Sequence, residues 1–146
     1  MSTKVASRQS PVASKSVIRK YKNLMIWQKA TEFALSIYMI TKDFPKEEIY
    51  GITSQLRRAS TSIAANIAEG SERGSDKEFI RFLRIAAASL AEVETYLYFA
   101  WRLDFITDSV YQELLLATME NGKMINGLIL KLNSSSASDR RLETGD

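Results

Sequence analysis

The chain is 146 residues long, carries a formal net charge of +3, and contains neither cysteine nor histidine. That length supports one domain with a real core. The two missing residue types exclude disulfides, thiolate and imidazole metal sites, cysteine nucleophiles and a Ser-His-Asp triad, and they leave nothing that titrates near neutrality unperturbed.

The charge is unevenly placed. Residues 1–20 hold Lys4, Arg8, Lys15, Arg19 and Lys20 without an acid, so the rest of the chain is close to neutral. Serines recur through the same stretch, and 1–20 reads as a disordered basic leader. A cationic arm suits nucleic acid or an anionic surface; a solubilising leader has the same composition, and so does an organelle transit segment. No run approaches 18 uninterrupted apolar residues, so no membrane span is expected.

Four helix-period segments occupy residues 21–133. The first, Leu24 to Asp43, places Ile26, Trp27, Ala30, Phe33, Ala34, Ile37, Tyr38 and Ile40 at steps of three and four. Phe44-Pro45 ends it, because the residue before a proline is pushed out of the α region. Pro45 with Lys46-Glu47-Glu48 then suits the first turn of a second helix. That helix carries Ile49, Ile52, Leu56, Ala59, Ile63 and Ile67 on one face and ends near Gly70, read as a left-handed C-cap. Ser75-Asp76-Lys77-Glu78 is a capping box opening the third helix, whose stripe runs through Phe79, Leu83, Ala86, Leu90, Val93, Leu97 and Trp101. Thr107 or Asp108 caps the fourth, which continues through Val110, Leu114, Ala117, Met124, Leu128 and Leu132 to about Asn133. Residues 134–146 read as a disordered tail. Long helices with short loops imply antiparallel neighbours, so the fold expected is all-α, an up-down-up-down four-helix bundle.

Two helices carry something more. On the third, Lys77, Arg81 and Arg84 fall opposite the core, but further on the outward surface reads Ala88, Ala91, Thr95 and Phe99, bordered by Ile85 and Tyr96. A helix apolar on both sides is buried on both sides, which predicts a homo-oligomer. On the second helix Gln55, Ser62, Asn66 and Glu69 form a polar row beside the apolar stripe, with Arg58 on its border. Such a row must be hydrogen-bonded. We read it as a structural network, with Glu69 accepting from an arginine of this chain or its neighbour, over a ligand or nucleic-acid site.

Basic groups cluster as Arg57-Arg58 and as Arg73, Lys77, Arg81 and Arg84 around the start of the third helix, where the helix dipole favours an anion. Glu78 is placed to pair with Arg81. Glu69 and Glu72 imitate a magnesium-holding carboxylate pair, but no second acidic pair of that spacing faces them. With no histidine, a Glu-x-x-His di-iron centre is excluded, and no Walker loop or Gly-x-Gly-x-x-Gly is present. No catalytic residue, metal or cofactor is expected, and the chain reads as a non-enzyme.

Several motifs together carry a resemblance. They are Tyr21-Lys22-Asn23-Leu24, Trp27-Gln28-Lys29-Ala30, Phe44-Pro45-Lys46-Glu47-Glu48, Gln55-Leu56-Arg57-Arg58-Ala59, the run from Ser62 to Gly70, and Phe82-Leu83 with Ile85-Ala86. Over about residues 21–132 the chain resembles the four-helix-bundle proteins of bacterial 23S rRNA intervening sequences, with Ala64 where that family usually has proline. Those proteins resemble the accessory variability protein of diversity-generating retroelements, which partners a reverse transcriptase and binds nucleic acid. Both groups are described as homopentameric barrels. The resemblance implies a cytoplasmic, pentameric barrel. The expected function is a non-catalytic oligomeric scaffold binding RNA or DNA through Arg57, Arg58, Arg73, Lys77, Arg81, Arg84 and the leader, in the retroelement setting as accessory to a reverse transcriptase. The alternative is a protein-interaction oligomer without nucleic-acid affinity.

Overall fold

The structure, a computed structural model, describes residues 20–143; the leader assigned to 1–20 lies outside it except for Lys20. Four α-helices make up the described chain, joined by short turns and 3-10 segments, and no strand occurs among these residues. A 3-10 turn at Lys20–Asn23 leads into α1, Met25–Thr41. Gln28 ties the two together by donating from Nε2 to the Lys22 carbonyl at 2.8 Å. After Pro45 comes a second 3-10 turn, Lys46–Glu48, and only then α2, Ile52–Ser71.

The second helix thus starts later than its sequence suggests. The Glu48 carboxylate, expected inside the helix, caps it from outside by accepting from the Ile52 N–H at 3.2 Å. Gly51 is the N-cap, and a Cβ there would stand 2.5 Å from that carboxylate oxygen. Ile49, assigned to the core stripe, lies in the turn and is half exposed.

Gly70 is the second correction. It does not take the left-handed conformation; α2 runs through it to Ser71, and the glycine at positive φ (82°) is Gly74. A Cβ on Gly70 would lie 2.7 Å from Cβ of Phe82, so this position is empty to let the next helix approach. That helix, α3, spans Asp76–Arg102, and Ser75 caps it by accepting from the Glu78 N–H at 3.2 Å. It closes in a Schellman motif. Asp104, at φ 61°, donates to the Trp101 carbonyl, while the Phe105 N–H reaches the Ala100 carbonyl at 2.8 Å.

Thr107 caps α4, accepting from the Val110 N–H at 3.2 Å. This helix covers Asp108–Glu143, so the tail expected to be disordered from residue 134 is helical as far as Glu143. The serines there are mediocre helix formers, but neither glycine nor proline interrupts the stretch, and extending an existing helix fixes one residue per hydrogen bond gained.

The contacts run antiparallel. Ser62 of α2 meets Ser89 of α3, and one turn earlier in α2 Arg58 meets Glu92, one turn later in α3. Likewise Trp101 of α3 stacks on Tyr111 of α4, while Leu90 lies beside Gly122. The core is the apolar stripe of each helix, centred on Ile37, Leu56, Ile63, Leu83, Leu97 and Ile125, all fully buried. Removing that surface from water is what holds the four helices together, since propensity alone stabilises isolated helices weakly.

This topology gives the bundle two different ends. At one lie the α1–α2 and α3–α4 turns. At the other lie the start of α1, the α2–α3 turn and the last part of α4.

Candidate nucleic-acid interface

Of the six basic residues singled out from the sequence, the structure brings together four. Arg73, Lys77, Arg81 and Arg84 lie around the α2–α3 turn and the first three turns of α3. Arg73 donates to Oε1 of Glu69 at 2.7 Å, and its guanidinium carbon sits 4.8 Å from the centroid of the Phe82 ring. Arg81 donates from Nε to Oε2 of Glu78 at 2.7 Å and lies 4.5 Å from the same centroid. Lys77, Glu78, Ile80, Arg81 and Arg84 line a shallow groove of about 580 Å³. The hydrogen bond from Arg81 holds the Glu78 carboxyl below the usual carboxylate range, with the charges of Arg81, Arg73 and Lys77 acting in the same direction.

Arg57 and Arg58 lie apart from this group, about 20 Å up α2 from Gly70 at 1.5 Å per residue. They also point to different neighbours. Arg57 turns toward α1, donating from Nε to Oγ1 of Thr41 at 2.9 Å and covering the Tyr38 ring. Arg58 turns toward α3, where it pairs with Glu92, and it also donates to Gln55 of its own helix. The two fasten α2 to the helices on either side of it.

The polar row of α2 divides into three groups. Gln55 accepts from Arg58 at 3.0 and 3.1 Å. Asn66 donates to the Ser62 carbonyl and hydroxyl, and the Ser62 hydroxyl shares a 2.9 Å hydrogen bond with Ser89. Glu69 accepts from Arg73, an arginine of its own chain. With Glu69 so engaged, Glu69 and Glu72 border an open hollow beside Tyr21, Ala65 and Ala68. No group of three or more acidic side chains gathers as cation ligands among the described residues.

The outward side of α3 is apolar, as its sequence indicates: Ala88, Ala91 and Thr95 are exposed, and Phe99 keeps half of its surface in water. Tyr98 packs edge-on against Phe99, and elsewhere on the surface Leu116, Met119 and Leu130 of α4 are each more than half exposed. These α4 residues escaped the sequence reading, although Leu116 and Met119 are three apart and off the core stripe. Phe82 was missed as well. Its adjacency to Arg81 is visible in the sequence, but its contact with Arg73 is made across the α2–α3 turn. No helix among the described residues is long and apolar enough to cross a membrane.

Comparison with known proteins agrees with this architecture. A crystallised protein of unknown function from the S23 ribosomal protein family of Bacteroides thetaiotaomicron VPI-5482 is 29% identical and superposes with a TM-score of 0.65. The match covers 72% of this chain and 98% of that one. No curated protein matches. The profile of the 23S rRNA-intervening sequence proteins matches residues 22–127, most of the bundle. The chain belongs to the 23S rRNA-intervening sequence protein family.

Proposed function

We propose that this protein is a non-catalytic, cytoplasmic homo-oligomeric scaffold that binds RNA or DNA through backbone phosphates. The observation that carries the reading is the convergence of Arg73, Lys77, Arg81 and Arg84 at one end of the bundle. The described chain enters the bundle at the same end, where Tyr21 borders the hollow formed with Glu69 and Glu72. Phosphate contacts made by a few cations per subunit are individually weak, and an oligomer repeats them at high effective concentration. The apolar outer face of α3 supplies the surface for that assembly, proposed as the pentameric barrel that the sequence resemblance implies. In a retroelement setting the scaffold would deliver nucleic acid to a reverse transcriptase.

A protein-interaction oligomer is the second reading. It is favoured by the ion pairs that Arg58, Arg73 and Arg81 already form with carboxylates of their own chain, and by the apolar surface around Phe99. Titration of labelled single-stranded and duplex RNA and DNA separates the two. Binding is expected to be sequence-tolerant and to weaken with salt by about 0.9 log units per decade for each phosphate neutralised. Deleting residues 1–20 should weaken it and flatten that slope. Absence of a complex at about 50 mM salt leaves the protein-interaction reading.

A further inference from the structure

The cations at the basic end are arranged around an aromatic ring. Phe82 is only 7% exposed, yet the guanidiniums of Arg73 and Arg81 both lie over it. Their distances from its centroid, 4.8 and 4.5 Å, sum to 9.3 Å, the farthest apart the two guanidinium carbons can be. They arrive from different elements, Arg73 from the α2–α3 turn and Arg81 from α3. Like charges this close repel, and two things hold them there. The π-electrons of the ring attract both, and each accepts the company of one carboxylate, Glu69 for Arg73 and Glu78 for Arg81.

Each guanidinium has five N–H donors in a fixed fork, and the carboxylate bonds take only part of that set. A phosphate held by N–H···O bonds of about 2.8 Å stands with its phosphorus about 4 Å from a guanidinium carbon. One phosphate therefore bridges guanidinium carbons up to about 8 Å apart, a separation inside the 9.3 Å limit that small rotations of these two half-exposed side chains bring about. Exposed ion pairs of the Glu–Arg kind are individually weak, so a ligand bridging both arginines has the advantage over two separate carboxylates. Lys77 and Arg84 line the adjoining groove and would meet the neighbouring charges of a polyanion.

We infer that Arg73 and Arg81, steadied by Phe82, form a phosphate-binding clamp, and that Glu69 and Glu78 are resident anions which an incoming phosphate displaces. This rests on the nucleic-acid reading for the source of the phosphate and deepens it: the ligand recognised is the phosphodiester backbone. The carboxylates set the threshold, since a weak or lone anion does not dislodge them while a polyanion does.

The test is isothermal titration of the full chain with inorganic tripolyphosphate, which has neither sugar nor base, followed by a short RNA duplex. Wild type is expected to bind tripolyphosphate. Arg81→Gln should weaken binding about tenfold, the scale of one charge-assisted hydrogen bond. Glu78→Gln should tighten it severalfold, and Phe82→Leu should weaken it, with circular dichroism showing each variant helical. The inference is overturned if wild type does not bind, if Arg81→Gln leaves binding unchanged, or if Glu78→Gln weakens it, which would make Glu78 a support for Arg81. If tripolyphosphate follows the expected pattern and RNA does not bind, the clamp stands and the nucleic-acid reading falls.

Discussion

Gly70 and Phe82 meet where α2 and α3 come closest at the basic end. A Cβ at position 70 would be 2.7 Å from Cβ of Phe82 and 3.0 Å from Cδ1 of Phe79, and neither neighbour is the far end of a flexible chain. Gly70→Ala therefore forces α3 outward or off its rotamers. Overpacking of this kind costs about 1–3 kcal/mol. The gain from placing alanine in a helix, about 0.5–1 kcal/mol, offsets only part of it. We expect a lower melting temperature by circular dichroism, together with weakened anion binding, because Phe82 shifts with the helix. An unchanged or raised melting temperature would show that the two helices separate here without cost. Glycine at 70 and the arginines at 73 and 81 thus belong to one construction: the small residue sets the distance at which the ring can face both cations.

At the scale of the elements, caps and stripes were open to sequence reading because both are local. Ser75 and Thr107 stand directly before the helices they cap, and the buried positions of α3 recur every three or four residues. Ser75→Ala should lower stability by about 1 kcal/mol, and Ser75→Asp should retain it, since a carboxylate caps as well as a hydroxyl. A thermal melt in which Ser75→Ala matches wild type would mean the α3 start is held by packing alone. What depended on a second element was not legible. The helical wheel separates Arg57 from Arg58 by about 100°. It does not tell that α1 lies on one side with Thr41 and α3 on the other with Glu92. The late start of α2 has the same origin, since Glu48 folds back onto Ile52 through the room that Gly51 leaves. The helical stretch from residue 134 to Glu143 was missed because composition rated its serines and ignored the long helix already running into them.

At the scale of the whole molecule, the apolar side of α3 stands uncovered among the described residues. Phe99 at half exposure, on the same outward side of α3 as the exposed alanines 88 and 91, is surface that a partner would bury. Introducing two carboxylates there, Phe99→Glu with Ala91→Glu, should reduce the native mass in light scattering while leaving helical dichroism intact. A wild-type protein that is monomeric in the same measurement would remove assembly from the reading. The two ends of the bundle can also be told apart without any label. Trp27 leans on Tyr21 with ring centroids 5.3 Å apart, at the end where α1 starts and the basic residues of the α2–α3 turn lie. Trp101 lies at the opposite end, stacked 4.7 Å from Tyr111 with its indole N–H donated to Asp108. The chain therefore carries one tryptophan at each pole, and tryptophan emission can be excited apart from that of the tyrosines. Replacing either tryptophan with phenylalanine leaves a single optical probe, and which of the two single-probe proteins changes its emission on adding a ligand reports the pole at which that ligand has arrived.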